Sequence, residues 1–499
     1  MPALRHKTQA ALLLISVAGF LAPTARAQND SSSQSGGAPP AATTPAEVNA
    51  ENPPLSGLDA PSAEPAYGGR SYLLPGIQLS ESVDSNANGN TGSNTHIAEV
   101  SRGLGSLDLQ KIWKNSQLGL DYVAGGVFYL GPQSLGQSRS YQVHTFAGDE
   151  RILWRTGQLA LRDSFDYLPE GTFGFSSFGG VGSLGSALGG SLSGAGAGTG
   201  LGGGLAGNSP GLIGGTGSFG SVGLQPRIDN DTTIDVVQQL SPRSSFTIAG
   251  GYDFTDFINK SQSNFNLVNS QQFNGQVGFN HLLSKKDQVG FLYAFQDFHF
   301  PTTGSGTITA HLWHALYGHR INGRLNFTAS GGPQLLIIHS PIFGETKRVS
   351  GNGSIMLHYI FSSRTNGQII YQRFVTPGSG FYAGSNTDAV RASLNRLLGR
   401  HWNMAADGGY SHNSALQKSL PIAGLPGLNS SSYDFWYAGG SLRRQIGQHF
   451  GAFMTYQFNN FGSSSCTTAS GSTALCGQTV QKHVGSIGID WHPRPIRLD

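Results

Sequence analysis

The chain has 499 residues, of which 72 are Gly and only 12% are charged, while aromatic residues make up 10%. Its mean hydropathy of -0.19 is too polar for a bundle of membrane helices, and no run of 18 apolar residues follows the first 27 positions. Few charges and many aromatic rings also fit poorly with a water-soluble globule of this size, but they suit a wall that is apolar on one face and polar on the other.

The first 27 residues have the features of a secretory signal. Arg5 and Lys7 form a basic start, residues 10–22 form a short apolar core, and residues 25–27 (Ala-Arg-Ala) give a small-x-small cleavage pattern. We expect cleavage after residue 27, because this core is shorter than the about 20 residues that span a bilayer as a helix. Cleavage lowers Lys plus Arg from 31 to 28, equal to the 28 acidic side chains. This balance predicts no nucleic-acid partner.

Residues 28–70 are rich in Pro, Ala, Ser, Asn and Gly and show no alternation of polarity. This composition predicts a disordered periplasmic tail, with binding to the cell wall by its Pro-rich stretches as the alternative. We predict that the remaining part of the chain, residues 71–499, forms a single β-domain.

The β-domain is a series of segments with two-residue periodicity. Between residues 450 and 458, for example, one face consists of Phe450, Ala452, Met454, Tyr456 and Phe458. We count about eighteen segments, which begin near residues 73, 98, 117, 139, 157, 226, 243, 270, 286, 306, 323, 347, 365, 387, 401, 431, 448 and 481. Sixteen is the alternative, if the weaker segments near residues 98 and 387 are not strands.

The connections between these segments alternate strictly between short and long. A soluble β-sandwich has no reason for such alternation, whereas a closed barrel in a membrane has two different rims. We therefore predict an all-β fold, a transmembrane antiparallel up-and-down β-barrel of about 18 strands. The even number places both chain ends on the short-turn side.

Aromatic residues lie near the predicted strand ends and predict girdles at the two membrane–water boundaries, with ordinary core packing as the alternative. They are Trp113, Tyr129, Phe298, Phe300, Phe374, Trp402, Trp436 and Trp491.

The longest connection, residues 171–224, contains no charged residue, and 22 of its 54 residues are Gly. It is the third long loop of the predicted barrel. A flexible surface loop is one interpretation. The other is a segment that folds into the lumen and restricts solutes by size and polarity.

Several charged residues lie on the strand phase opposite to the apolar face, which predicts a water-filled lumen. An Arg or Lys that faced hydrocarbon at the midplane would cost about 2–4 kcal/mol. Two aromatic residues share this inward phase. The candidate lumen-lining residues are Arg162, Asp235, Arg391, Arg443, Tyr437 and Phe453. Tuning of solute selectivity and structural ion pairing across the inner wall are both consistent with the charges.

The sequence predicts no catalytic, metal or cofactor site. His311 and His319 would lie about 26 Å apart on one strand and His314 on its other face, which is too far for a shared metal. Cys466 and Cys476 lie in one loop of an exported chain, and we predict a disulfide between them.

The whole region after the leader resembles outer-membrane β-barrels of Gram-negative-type bacteria. Residues 75–86 (PGIQLSESVDSN) look like the first strand of the porin-2-like barrels, a family whose members often occur beside exopolysaccharide export systems. One departure is the C-terminus, since outer-membrane barrels typically end in an aromatic residue, whereas eight residues follow Trp491 here.

The expected function is passive diffusion of small polar solutes through a porin-like channel, without enzymatic activity or cofactor. Export or surface binding of a polysaccharide is the alternative, and a membrane-embedded hydrolase is the second. The expected location is the outer membrane, in contact with lipid and lipopolysaccharide.

Overall fold

The computed structural model of the protein describes residues 54–56, 71–87, 97–130, 140–170, 224–258, 268–301, 306–341, 344–376, 383–416, 432–463 and 479–498. The predicted leader, the Gly-rich stretch 171–223 and both cysteines lie outside these ranges. Within them, no helix is long and apolar enough to cross a membrane.

The described residues form eighteen long β-strands and one short strand. They are β1 (Tyr72–Asp84), β2 (Ala98–Ile112), β3 (Ser116–Leu130), β4 (Ser140–Trp154), β5 (Gly157–Glu170), β6 (Leu224–Ser241), β7 (Ser244–Phe257), β8 (Ser270–Leu282), β9 (Asp287–His299), β10 (Thr307–Asn322), β11 (Leu325–Ser340), β12 (Gly344–Ser362), β13 (Thr365–Thr376), β14 (Ser385–Leu398), β15 (Trp402–Ala415), β16 (Ser432–Ile446), β17 (Phe450–Ser463), β18 (Thr479–Trp491) and β19 (Ile496–Arg497).

Each long strand pairs antiparallel with its neighbours in sequence, and β18 pairs with β1, which closes the sheet into a barrel. At the seam, Leu79 lies opposite Ile489 and Val83 lies opposite Gly485. The prediction of an all-β transmembrane barrel with eighteen strands is confirmed. The segments near residues 98 and 387, which left sixteen open, are strands β2 and β14.

The two rims of the barrel differ as predicted. At one rim, strand pairs such as β4–β5 and β10–β11 are joined by two residues, at 155–156 and 323–324. At the other rim most connections are longer, but the one between β11 and β12 is short and covers only residues 341–343. It was expected to be a long loop. The difference arises because β11 and β12 extend the sheet with 16 and 19 residues, so the chain rises as paired strands instead of a loop.

The wall changes chemistry at every second residue. On β1, Ile77 and Leu79 are 51% and 54% exposed, whereas Gln78 and Ser80 between them are buried. The same alternation continues around most of the barrel and separates an apolar outer face from a mainly polar inner face, whereas the inner face of β9–β11 carries a buried apolar cluster that includes Leu312 and Leu336. Because side chains alternate across a pleated strand, this separation follows directly from the sequence period.

The girdle prediction is correct for the tryptophans and wrong for several other rings. Trp113, Trp402, Trp436 and Trp491 are between 38% and 48% exposed on the outer face. By contrast, Tyr129, Phe298 and Phe300 are buried, and Phe374 is half-buried. Phe298 on β9 and Tyr129 on β3 fall on the inward phase of their strands. The face that a ring occupies is set by its position in the two-residue alternation of the strand, not by its closeness to the strand end.

The residues after Trp491 do not leave the barrel. Ile496 and Arg497 form β19, which pairs with Leu73 and Tyr72 at the start of β1. The C-terminal extension therefore continues the edge of β18 along the first strand, at the short-turn rim.

Candidate functional site: the inner wall of the barrel

All six candidate residues lie on the strand phase opposite to the exposed apolar side chains. Arg162 lies on β5, Asp235 on β6, Arg391 on β14 and Phe453 on β17, while Arg443 and Tyr437 lie on β16. Contact of these side chains with a passing solute stays a prediction, and their contacts with one another and with the wall are described below.

The first group of charges joins strands β4, β5 and β6. Arg162 Nε lies 3.3 Å from Asp149 Oδ1, and Arg162 Nη2 lies 3.8 Å from Asp235 Oδ2. Asp149 also lies 3.4 Å from Arg151 Nε. Two carboxylates and two guanidinium groups thus alternate across the wall. Arg162 and Asp235 therefore take part in structural ion pairs between strands.

The second group joins β14, β15 and β16. Arg391 Nε donates a hydrogen bond of 2.8 Å to Asp407 Oδ2, and the hydroxyl of Tyr437 donates one of 2.5 Å to Asp407 Oδ1. All three side chains are buried. Asp407 therefore brings together two candidates that lie on different strands and 46 positions apart in the sequence.

The third group lies at the closing seam. Arg443 Nη2 donates a hydrogen bond of 2.8 Å to Asp490 Oδ2 on β18. Phe453 lies opposite Gly488 in the β17–β18 pair. A Cβ atom on Gly488 would come within 2.3 Å of the Phe453 ring, so the ring covers this glycine and lies against the wall.

Sequence reasoning missed the acceptors Asp149, Asp407 and Asp490. Each lies on the inward phase of its own strand, so the two-residue period would have placed it on the wall. Pairing it with an arginine required the register, because the partners are on other strands: Asp149 lies directly opposite Arg162, Asp407 lies diagonal to Arg391, and Asp490 lies two strands away from Arg443. Lys482 and Asp84 form a further inner pair at 2.6 Å across the seam that was not singled out.

Acidic side chains outnumber basic ones on the described inner face of β3–β7. Seven carboxyl groups face inward there, from Asp121, Asp149, Asp166, Asp229, Asp231, Asp235 and Asp253. Three guanidinium groups accompany them, from Arg151, Arg162 and Arg227. This part of the wall, which we call the acidic sector, has an excess of groups that attract cations.

The remaining wall carries no excess of acidic groups. Strands β8–β13 present amide side chains and a buried apolar cluster, and Asn352 Nδ2, for instance, donates a hydrogen bond of 2.9 Å to Gln334 Oε1. Two arginines, Arg320 on β10 and Arg348 on β12, also lie on the inward phase. On the described part of β14–β18, β1 and β2, four basic residues face four acidic ones: Arg102, Arg391, Arg443 and Lys482 with Asp84, Asp108, Asp407 and Asp490. The excess of acidic groups is therefore confined to one side of the barrel.

An aromatic cluster on β16 and β17 lies on the inner face. The ring centroids of Tyr433 and Phe461 are 5.1 Å apart, and Phe435 and Tyr437 stack at 6.1 Å. These four rings are only 1–2% exposed. They contribute to packing within the barrel and offer no free ring face.

The three histidines of β10 lie on two faces of the strand. His311 and His319 lie on the outer phase of β10, and His314 is buried on the inner phase, as the sequence predicted. Among the described residues, no group of three or more His, Cys, Asp or Glu side chains has the geometry to hold a metal ion.

One Ser–His pair occurs on the outer face at the short-turn rim, where Ser244 Oγ lies 2.9 Å from His281 Nδ1. No described carboxylate makes a hydrogen bond to His281, so the third member of a hydrolase triad is not present in the part of the chain that the structure describes.

Comparison with known proteins gave similarity in structure only. No protein-family model and no curated protein matches the sequence. A Pseudomonas aeruginosa structure of OpdK with vanillate is 10% identical and has a TM-score of 0.38, covering 84% of this chain and 98% of its own. P. aeruginosa OccK2 (OpdF) in complex with glucuronate is 8% identical with a TM-score of 0.39, covering 87% and 100%. Acinetobacter baumannii OccAB4 is 8% identical with a TM-score of 0.38, covering 86% and 100%. At these scores the likeness supports no conclusion about ligand or activity.

Proposed function

We propose that the protein is a porin-like channel of the outer membrane that lets small polar solutes diffuse passively, without a cofactor and without bond chemistry. The observation that carries this proposal is the chemistry of the closed wall. Eighteen strands make a barrel of the size that encloses an aqueous channel, and the polar side chains face inward. The apolar outer face fits lipid and the hydrocarbon of lipopolysaccharide.

The acidic sector adds a preference among solutes. An excess of carboxyl groups on one side of the lumen raises the local concentration of cations and lowers that of anions. We expect a weak preference for cationic and neutral solutes, because most inner charges elsewhere are paired. The stretch 171–224 lies almost entirely outside the described residues, and its narrowing of the lumen stays a prediction.

Conductance across a planar lipid bilayer tests the channel. Purified protein is expected to give discrete channel currents, with a reversal potential in a KCl gradient whose sign shows cation movement. The double substitution Asp229→Asn/Asp253→Asn removes two inward carboxylates and should move the reversal potential towards zero. The matched control is Glu81→Gln, which alters a carboxylate on the outer face, where it accepts a 2.8 Å hydrogen bond from Ser101.

Two results would contradict the proposal. Protein that is fully inserted but passes no current would refute the channel. A reversal potential that responds to Glu81→Gln and not to the inner double substitution would refute the role of the acidic sector.

The two alternative functions gain nothing from the described wall. Polysaccharide binding relies on ring faces on which sugars stack, and the inner aromatic cluster of Tyr433, Phe435, Tyr437 and Phe461 is covered. A hydrolase needs a nucleophile, a base and an orienting group, and Ser244 and His281 provide two of these on the outer face.

A further inference from the structure

A short segment that precedes the barrel lies inside it. Residues 54–56 belong to the stretch 28–70 that the sequence predicted to be a disordered periplasmic tail. In the structure, Leu55 and Ser56 are buried against inward-facing side chains of β7–β10. Strand β7 is the edge of the acidic sector, β8 presents amide side chains, and β9 and β10 present mainly apolar ones. The contacts lie nearer the short-turn rim, from which the chain enters β1.

Ser56 is bound by a complete set of polar groups. Its backbone N–H donates a hydrogen bond of 2.9 Å to Asn280 Oδ1, and its carbonyl oxygen accepts one of 3.0 Å from Gln276 Nε2. Its hydroxyl lies 2.6 Å from Thr247 Oγ1 and 2.5 Å from Asn280 Nδ2. Thr247, Gln276 and Asn280 are themselves at most 2% exposed. Both backbone groups and the side chain of one residue are therefore satisfied by the wall, which is the pattern of a specific binding site.

Leu55 occupies an apolar position beside these polar groups. It forms a small cluster with Leu292 on β9 and Leu316 on β10, both of which point inward and are buried. The inner face of β9–β11 is largely apolar in this region, with Leu312 and Leu336 in a neighbouring buried cluster, and the side chain of Leu55 covers Leu292 and Leu316. The apolar site for Leu55 and the polar site for Ser56 therefore lie next to each other on the wall, as the two residues do in the segment.

Two glycines leave the room that the segment fills. A Cβ atom on Gly278 would lie 2.3 Å from the Cβ of Ser56, and one on Gly318 would lie 3.1 Å from the Cδ2 of Leu55. Any larger residue at position 278 would occupy the place of the segment. The wall therefore matches this dipeptide in shape as well as in its hydrogen-bonding groups.

We propose that β7–β10 form an internal binding site for the chain's own Leu55-Ser56, and that the bound segment is a tether that narrows the channel near the short-turn rim. The recognised ligand is the Leu-Ser segment in a turn conformation, whose serine backbone and hydroxyl are held by Thr247, Gln276 and Asn280. The effect on solute flow rests on the proposed channel function, whereas the binding itself does not.

A disulfide cross-link tests the binding independently of transport. Ser56→Cys combined with Thr247→Cys, in full-length protein whose Cys466 and Cys476 are both replaced by Ser, should form an intramolecular disulfide on mild oxidation. The bonds from Gln276 and Asn280 to the backbone of residue 56 remain, so the segment stays in place. Ser56→Cys with Ser486→Cys is the control, because Ser486 faces inward from β18 on the opposite side of the closed sheet. Mass spectrometry of the digested protein identifies the linked peptides.

Single-channel conductance tests the narrowing. Leu55→Asp places a charge between Leu292 and Leu316 and should release the segment without altering any strand, which raises conductance on the order of 1.5- to 2-fold as the pore widens. Gly278→Ala changes the wall instead of the segment and should also displace residues 55 and 56. Combined with Leu55→Asp, it should give no further increase in conductance, because the segment is already released. Leu55→Met keeps the contact and should match the wild type.

The outcomes separate the two proposals. A cross-link in the Ser486→Cys control that equals the one at Thr247→Cys refutes the binding site, and so does its absence at Thr247→Cys. A conductance unchanged by Leu55→Asp refutes the narrowing. If the expected cross-link forms but no variant conducts, the internal site stands and the channel function fails.

Discussion

The guanidinium Nε of Arg391 and the carboxylate Oδ2 of Asp407 lie 2.8 Å apart on strands β14 and β15, and neither side chain is more than 4% exposed. A charge pair so well enclosed is stabilising only while both partners are present. Removing one partner leaves the other charge buried without a counter-charge. The free-energy cost of that unpaired charge is larger than the net stabilisation from the intact pair.

We therefore predict that Arg391→Met lowers the free energy of unfolding by about 3 kcal/mol, and that Arg391→Met/Asp407→Leu recovers part of the loss, because the buried Tyr437 hydroxyl then loses its acceptor. Urea unfolding of the protein in lipid vesicles, followed by tryptophan fluorescence, measures both. Arg396→Met is the matched control, because Arg396 lies on the same strand but is exposed on the outer phase. A double variant no more stable than Arg391→Met would contradict the unpaired-charge explanation.

The inward and outward phases of β17 predict opposite responses to the same new charge. Met454 is 55% exposed on the outer face, and Gln457 is buried on the inner face, where its amide donates a hydrogen bond of 2.8 Å to Asn459. Met454→Lys should destabilise the barrel by about 2 kcal/mol or more, because the ammonium group would face hydrocarbon. Gln457→Lys changes the side-chain size by a similar amount and should destabilise the barrel less than Met454→Lys, because its ammonium group would face the polar interior. Refolding yield into vesicles and the urea midpoint compare them, and equal losses would refute the assigned faces.

Two glycines with left-handed backbone conformations should differ in their tolerance of a methyl group. Gly306 has a φ of +79° and Gly344 one of +72°, so alanine costs about 1 kcal/mol at either from the conformation alone. A Cβ on Gly306 would also lie 1.7 Å from the carbonyl oxygen of His339, whereas Gly344 has open space around it. We expect Gly306→Ala to be clearly the more destabilising in urea unfolding. The reverse order would show that the β10–β11 edge is not packed as described.

The predicted disulfide between Cys466 and Cys476 lies outside the described residues and is tested chemically. Denatured protein should resist alkylation of both cysteines until it is treated with a reductant. In the chain-entropy model, Cys466→Ser/Cys476→Ser should lower the stability of this loop by roughly 3 kcal/mol, seen as faster proteolysis between β17 and β18 and not as loss of the barrel. Alkylation of both thiols without reduction would refute the bond.

The barrel was largely predictable because its signals are local. Alternation with a period of two residues marks a strand and its two faces, and turn residues mark its ends, so the order and number of strands follow from neighbouring residues alone. The same local signal misplaced Tyr129 and Phe298, where closeness to a strand end was given more weight than phase. The local pattern also predicted a long loop near residues 341–343, because it does not indicate how far two paired strands continue beyond the membrane.

Sequence by itself determined that this chain is an antiparallel barrel of about eighteen strands, with sixteen as the alternative, and it predicted one inward face for Arg162, Asp235, Arg391, Arg443, Tyr437 and Phe453. Only the tertiary structure decided their partners, because Asp149, Asp407 and Asp490 meet them through strand register. It also decided the position of Leu55 and Ser56, whose contacts with Thr247 and Asn280 span 191 and 224 positions in the chain. A polar, Pro-rich sequence carries no trace of such a contact, since the groups that bind it converge only when the sheet closes.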